Sequence, residues 1–210
     1  MPMDDLLIPV IGIERLRMAT DGTGIRTLIG TYGCPLRCRY CLNPQSWDRS
    51  RKPALYTPEK LYEKVALDNI YYQATNGGIT IGGGEPLLYM PAIKAFAALC
   101  PDTWSLWTET ALNVDQSLVE SASKVFHHFI IDIKTIDAAI YKEYTGRDLK
   151  QALDNLLYLH SIVGPDRITV RVPLIPGYAD IASQEKSTKE LVSLGFTDLD
   201  TFTYRTDIKK

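Results

Sequence analysis

Long apolar runs are missing from this chain. The one apolar stretch near its start, in MPMDDLLIPVIGIERLRM, is short, follows two aspartates and contains Pro9, which argues against a signal peptide or a membrane span. Basic runs are missing too, and the formal net charge is −2, so neither a membrane nor a nucleic acid is the expected partner. There is no internal repeat and no low-complexity linker. With 210 residues, 45% of them hydrophobic and 23% charged, the chain reads as one cytoplasmic globular domain spanning 1–210. Histidine is scarce: His127 and His128 precede or open a strand-like run and His160 falls late in a helical one, so all three read as structural or solvent-facing. Cysteine is scarce and uneven. Cys34, Cys38 and Cys41 crowd together while Cys100 stands apart, a pattern of metal or redox chemistry rather than of a disulfide framework.

What is present is an alternation of strand and helix. Strand-like runs, short and rich in Ile, Val, Thr and aromatics, occur at Arg26–Tyr32, Gly78–Gly82, Trp104–Thr108, His128–Ile133, Arg167–Pro173 and Thr197–Tyr204. Thr57-Pro58-Glu59 is a helix start, and Tyr62, Val65, Ala66 and Ile70 recur at helical spacing on one predicted face. Further helices are expected at Pro91–Cys100, Asp115–Ser123, Asp137–Tyr144, Leu149–Val163 and Ser183–Leu194. Six βα-like units imply an α/β fold of parallel strands with outer helices, either a doubly wound sheet or a partial barrel. A final helix is expected to be absent or short.

The segment Gly33-Cys34-Pro35-Leu36-Arg37-Cys38-Arg39-Tyr40-Cys41 places three thiols in one loop, 33–44. Soft thiolates suit an iron–sulfur cluster, and three protein ligands leave one iron open for chemistry. Cys100 as a fourth ligand would instead give a structural zinc or an ordinary cluster. It falls at the end of a helix just before a strand, however, at the opposite pole from a loop that follows the first strand, and reads as a buried small hydrophobe. Arg37 and Arg39 either tune a cluster's potential or are simply solvated, and the second reading is preferred.

In βα folds ligands gather at the C-terminal strand ends. There this chain carries the cysteines, then Gly82-Gly83-Gly84-Glu85-Pro86, then Glu109-Thr110, then Asp132-Ile133-Lys134 with acid and base on one strand face. Arg171 with Pro176-Gly177-Tyr178, and Tyr204-Arg205, complete the series.

The CxxxCxxC spacing, with Tyr40 before the last cysteine, resembles the radical S-adenosylmethionine superfamily. The run Asp21-Gly22-Thr23-Gly24-Ile25-Arg26, the cysteine loop, Asn43-Pro44, Ser46-Trp47-Asp48, the GGGEP run, Asp132-Ile133-Lys134, and Arg171-Val172-Pro173 before Pro176-Gly177-Tyr178 together resemble glycyl-radical-enzyme activating enzymes over about residues 10 to 205. The resemblance implies a partial (β/α)6 barrel and an oxidoreductase of anaerobic chemistry. A flavodoxin or ferredoxin would reduce the cluster, S-adenosylmethionine would be split to a 5′-deoxyadenosyl radical, and that radical would take hydrogen from a glycine of a partner enzyme. It further implies that Cys34, Cys38 and Cys41 bind a single [4Fe–4S] cluster. Tyr40, the backbone of Gly83, Gly84 and Glu85, Lys134, Asp132, Glu109 and Arg205 would meet the cofactor. Glu109, Thr110 and Asp132 would hold a monovalent cation, and Asp21 and Arg171 would face the substrate peptide.

The departures concentrate on the substrate side. Thr23 stands where proline is usual, Leu42 where a histidine commonly follows the last cysteine, Glu109 where aspartate is usual and Arg205 where a histidine is expected. Two other functions therefore stand beside the activase: a radical enzyme acting on a peptide or small metabolite, and a non-catalytic iron–sulfur or zinc module.

Overall fold

The computed structural model describes residues 6–18 and 20–206. The first five and last four residues of the expected domain lie outside them. The chain forms one sheet of eight strands in the order β3-β1-β2-β4-β5-β6-β7-β8. β1 (Ile8–Arg17) pairs antiparallel with β2 (Arg26–Thr31) and with β3 (Ala54–Tyr56). β4 (Gly78–Gly83), β5 (Ser105–Thr110), β6 (His128–Asp132), β7 (Ile168–Leu174) and β8 (Asp198–Thr203) then follow β2, every pair parallel. Six parallel strands stand in strict chain order. A doubly wound sheet reverses its order at a switch point, and none is present here, so the partial barrel is the alternative realised; β2 and β8 do not pair and the barrel stays open.

β1 and β3 escape the sequence reading. β1 contains Pro9 and Gly12 and is kinked by register shifts on either side of Gly12–Glu14, so it lacks a clean two-residue alternation. β3 has only three residues, two of them exposed.

Helices cover one face of the sheet. Thr57 caps α1 (Pro58–Val65), but the helix breaks into a 3₁₀ turn at Ala66–Asp68 before α2 (Asn69–Thr75). That break changes the phase. Pro58, Leu61, Val65 and Tyr72 are the buried residues of the two helices, and Ile70, expected on the same face as Val65, is 71% exposed. α3 (Met90–Ala97), α4 (Gln116–Ser123), α6 (Leu149–Val163) and α7 (Ile181–Ser193) lie within a few residues of expectation. α5 (Ala138–Thr145) is capped by Asp137, which accepts from the amides of Ala139 and Ile140 at 3.0 and 3.1 Å. The core lies between helices and sheet, with Ile29, Ile79, Ile81, Leu106, Phe129, Ile131, Val170 and Val172 supplied by the strands.

Alternation leaves the other sheet face to polar residues. In β5, Leu106, Thr108 and Thr110 are buried toward the helices, while Trp107 and Glu109 point inward to the barrel. The segment that enters β2 crosses this inner face. Arg26 is 1% exposed and donates to Thr80 Oγ1 at 2.7 Å, Ile79 O at 2.7 Å and Ser105 O at 2.6 Å, with its guanidinium 4.7 Å from the Trp107 ring. Burial brings its pKa down to about 10, still high enough to stay charged. Gly24 is needed here, with φ of +70° and Thr75 O only 2.5 Å from where a Cβ would stand. Among the described residues no helix is long and apolar enough to cross a membrane.

Candidate active site

The cysteine loop leaves the C-terminal end of β2 and is held at both ends. The Gly33 amide donates to Ser46 O at 2.5 Å, and the Glu85 amide donates to Gly33 O at 2.7 Å. In its middle, the Arg37 and Arg39 amides donate to Thr145 O and Tyr144 O, at 2.8 and 3.1 Å, so the loop hangs from the end of α5. Arg37 does more than sit in solvent. Its guanidinium donates to Cys34 O at 2.6 Å and Leu36 O at 2.7 Å and lies 5.4 Å from the Trp47 ring, which folds the loop around its own carbonyls.

The three thiols are half-buried and unbridged. Burial, first of all, pushes Cys34 up to about 12 and Cys38 to about 11, and the neighbouring cysteines add to both shifts. Glu85 acts on Cys34, while Lys134 opposes the shift at Cys38. The three thiols therefore sit within electrostatic reach of one another, Cys34 beside the β4 loop and Cys38 beside the end of β6. Among the described residues no three His, Cys, Asp or Glu side chains converge on a single ion. A cubane, whose irons occupy separate corners, asks instead for thiols set apart around a shared space. Cys100 is far from this: its thiol donates to Phe96 O at 3.4 Å and it lines a cleft with Lys124 and His127 at the N-terminal strand ends.

Glu85 is fully buried. Its carboxylate accepts from Thr110 Oγ1 at 2.7 Å and from the amides of Leu87 and Ala111 at 3.2 and 3.1 Å, tying the β4 loop to the end of β5. Three hydrogen bonds favour its charged form, but desolvation outweighs them and raises its pKa to about 7. The amides of Gly84 and Glu85 are already spent on Thr31 O and Gly33 O. What this loop can offer a ligand is therefore carbonyl oxygen, an acceptor suited to an ammonium group. A Cβ on Gly84 would lie 2.2 Å from Gly33 O, so the loops meet only because it is glycine.

Asp132 and Lys134 form a close ion pair, although not as neighbours on one strand face. β6 ends at Asp132; Lys134 lies beyond it in a left-handed conformation, φ +67°, that folds its ammonium back over the carboxylate. Lys134 is 4% exposed, and its Nζ sits 5.0 Å from the Tyr204 ring. Arg205, one residue on, is exposed, so Tyr204 is the residue of this pair that faces the site. Tyr40 packs edge-on against Tyr144 and Tyr178, with centroids 6.1 and 5.8 Å apart.

The expected cation set is not assembled. Thr110 points to the helix layer and spends its hydroxyl on Glu85 and Leu112, whereas Glu109 points inward and pairs with Arg171 at 2.8 Å. Neighbours on a strand face opposite sides, and that geometry separates them. Asp21, 4% exposed, is bonded by Arg17, and its carbonyl accepts from Thr80 at 2.6 Å. Arg171 also donates to Thr20 O at 2.5 Å. The inner face thus carries three acid–base pairs: Asp21 with Arg17, Glu109 with Arg171, and Asp132 with Lys134. None of the histidines joins these pairs, and only His128 shares the inner face, at the first residue of β6 and so far from the C-terminal strand ends. His127 accepts from the Leu106 amide, His128 stacks on Trp107 and His160 packs on Phe196. Sequence reasoning missed Arg26, Tyr141 and Tyr144; the spacing of the two tyrosines at i and i+3 on α5 was the available signal.

A family model described as the radical SAM superfamily matches residues 28–182. The pyruvate formate-lyase-activating enzyme of Staphylococcus aureus (strain USA300) is 34% identical over 168 residues, covering 76% of this chain and 66% of that one. The chain thus spans just under two thirds of the length of the curated relatives it matches. Streptococcus suis SuiB bound to S-adenosylmethionine aligns with a TM-score of 0.62 at 17% identity, covering 85% of this chain and 41% of that one. A domain of pyruvate-formate lyase-activating enzyme from Bacteroides vulgatus ATCC 8482 aligns with a TM-score of 0.53 at 23% identity, covering 64% of this chain and 84% of that one.

Proposed function

The chain belongs to the radical S-adenosylmethionine superfamily, and from that membership we propose that it is an activase acting on a glycine of a partner glycyl-radical enzyme. The superfamily uses a [4Fe–4S] cluster together with S-adenosylmethionine. The residues present fit both: three free, half-buried thiols in one loop, no fourth cysteine at that pole, and buried polar atoms of Asp132, Tyr141 and Tyr144 left without partners around it. Cys34, Cys38 and Cys41 would hold three irons. When bound and reduced by a flavodoxin or ferredoxin, the cluster supplies the electron that splits S-adenosylmethionine to a 5′-deoxyadenosyl radical.

The chain's own residues orient and shield. The carbonyls of Gly83 and Gly84 would accept from the methionine ammonium, and the Lys134 ammonium, aligned by Asp132, would meet the methionine carboxylate. Tyr40 and Tyr204 wall the cofactor off from water. Arg171 and Asp21 offer a donor and an acceptor to an extended peptide on the inner face. The observation that carries this reading is the placement of the cysteine loop beside the GGGEP loop and Lys134 at one pole of an open parallel barrel. Anaerobic reconstitution with dithionite and S-adenosylmethionine should give 5′-deoxyadenosine from the wild type and none from Cys38→Ala. Adding a glycyl-radical enzyme should then give its glycyl doublet in electron paramagnetic resonance. A loaded cluster that yields no 5′-deoxyadenosine overturns the proposal, and cleavage without the doublet moves it to another peptide or metabolite.

A further inference from the structure

α5 presents two tyrosines to the cysteine loop. Tyr141 and Tyr144, one turn apart, are both fully buried, and neither hydroxyl has a hydrogen-bond partner. Buried hydroxyls are seldom left unpaired, because an orphan has given up its bonds to water and gained none in return. The Tyr72 hydroxyl, by contrast, reaches Thr27 Oγ1 at 2.5 Å and Val65 O at 3.3 Å, and the other unpartnered buried side-chain atoms among the described residues, on Trp47, Glu59, Asn113, Asp132 and His160, are not hydroxyls. Two orphans on one face of one helix mark a space that something polar fills.

Their surroundings say what. Cys38 packs into the cluster formed by Tyr144, Ile175, Ala179 and Tyr204. The charges of Cys38, Lys134 and Asp132 all bear on Tyr141, and those of Cys38 and Lys134 on Tyr144. Tyr204 stands edge-on to Tyr144 at 6.2 Å; its hydroxyl is near enough to help raise the Tyr144 pKa, but the two do not complete a well-aligned hydrogen bond. The carbonyls of Tyr144 and Thr145 hold the loop amides on either side of Cys38. One helix end therefore fixes the Cys38 corner of the loop, with the Tyr144 ring packed in the cluster that Cys38 joins and the Tyr141 hydroxyl one turn back within reach of the Cys38 charge. Burial raises both hydroxyls well above their ordinary pKa, so both remain donors.

We propose that the Tyr141 and Tyr144 hydroxyls donate hydrogen bonds to the sulfur atoms of the iron–sulfur core at its Cys38 corner and raise its reduction potential. This rests on the cluster assignment above. A donor to a cluster sulfur stabilises the more negative, reduced state, so its removal makes the cluster harder to reduce. They act as positioning and tuning residues rather than catalytic ones.

The test is a potentiometric titration of the reconstituted protein without S-adenosylmethionine, read by electron paramagnetic resonance. Tyr141→Phe and Tyr144→Phe should bind as much iron and sulfide as the wild type. Each should shift the midpoint to more negative potential, beyond the scatter of replicate titrations, and lose an exchangeable-proton coupling after transfer to deuterium oxide. Tyr72→Phe, a control remote from the loop, should lower the melting temperature and leave the potential unchanged. Loaded clusters with unchanged midpoints and couplings overturn the proposal, with water as the partner instead. A change seen only in the affinity for S-adenosylmethionine overturns it in favour of that ligand. A wild type that takes up no cluster removes the functional reading and this proposal together, a separate and recognisable result.

Discussion

Glu85 is a carboxylate on which two strong effects oppose each other, and desolvation wins. Its folded pKa, about 7, lies above the ordinary 4.5, so the folded chain binds this proton more tightly than the unfolded one. Stability from this group is fully present below the ordinary value and is lost as pH rises through about 7. A raise of this size corresponds to roughly 3 kcal/mol. Glu85→Gln should be less stable at pH 5, because its amide N–H faces the Ala111 or Leu87 amide, but its urea-unfolding free energy should fall less between pH 5 and pH 8 than that of the wild type. Parallel curves for the two proteins would show that Glu85 does not titrate in this range. At this scale the sequence was legible in identity and not in direction. It nominated Glu85, Glu109 and Lys134, but only coordinates show that Glu85 turns to the helix layer, that Thr110 and Glu109 part company and that Lys134 leaves its strand.

The cysteine loop is a device of three elements, since it is anchored to β2, to the GGGEP loop and to the end of α5. Its tightest joint is Gly84. A Cβ there would stand 2.2 Å from Gly33 O and 2.8 Å from Thr31 O, both backbone atoms that no rotamer change can move aside. Gly84→Ala should therefore destabilise the fold by at least about 2 kcal/mol in urea titration and reduce iron uptake, because Gly33 leads directly into Cys34. Wild-type stability and iron content in that variant would exclude this joint as the loop's anchor. Helices were the most legible elements, since their caps are local: Thr57 and Asp137 sit where the sequence places them. The α1–α2 break was not legible, because a single 3₁₀ turn alters phase without altering composition, and Ile70 ends up in solvent.

For the molecule as a whole, the open barrel depends on a part that the alternation of strand and helix did not announce. β1 extends the sheet antiparallel beyond β2, and at its far end Arg17 holds the Asp21 carboxylate against the inner face, where Thr20 meets Arg171. β1 is itself pinned by Arg15, whose guanidinium makes a two-pronged pair with Asp68 at 2.8 and 2.6 Å. Asp68 is buried at the turn between α1 and α2, where Thr27 also reaches it at 3.3 Å. The Arg15 hydrogen bonds hold the Asp68 pKa below its ordinary value of 3.8. This pair therefore stabilises the fold above that value and weakens as pH falls through the lower, folded one, the opposite sign to Glu85. Arg15→Met should keep most of the packing of the side-chain stem while stranding a buried carboxylate. The variant should melt earlier than the wild type at pH 7, and the gap should narrow toward pH 3 as Asp68 takes up a proton. Because β1 leads into the Asp21 segment, the same variant should bind a peptide of the proposed glycine substrate more weakly while its 5′-deoxyadenosine yield without peptide stays near the wild-type level. Equal loss of both would place β1 in general stability instead. Intact peptide affinity in a destabilised variant would detach the proposed substrate face from this edge of the sheet.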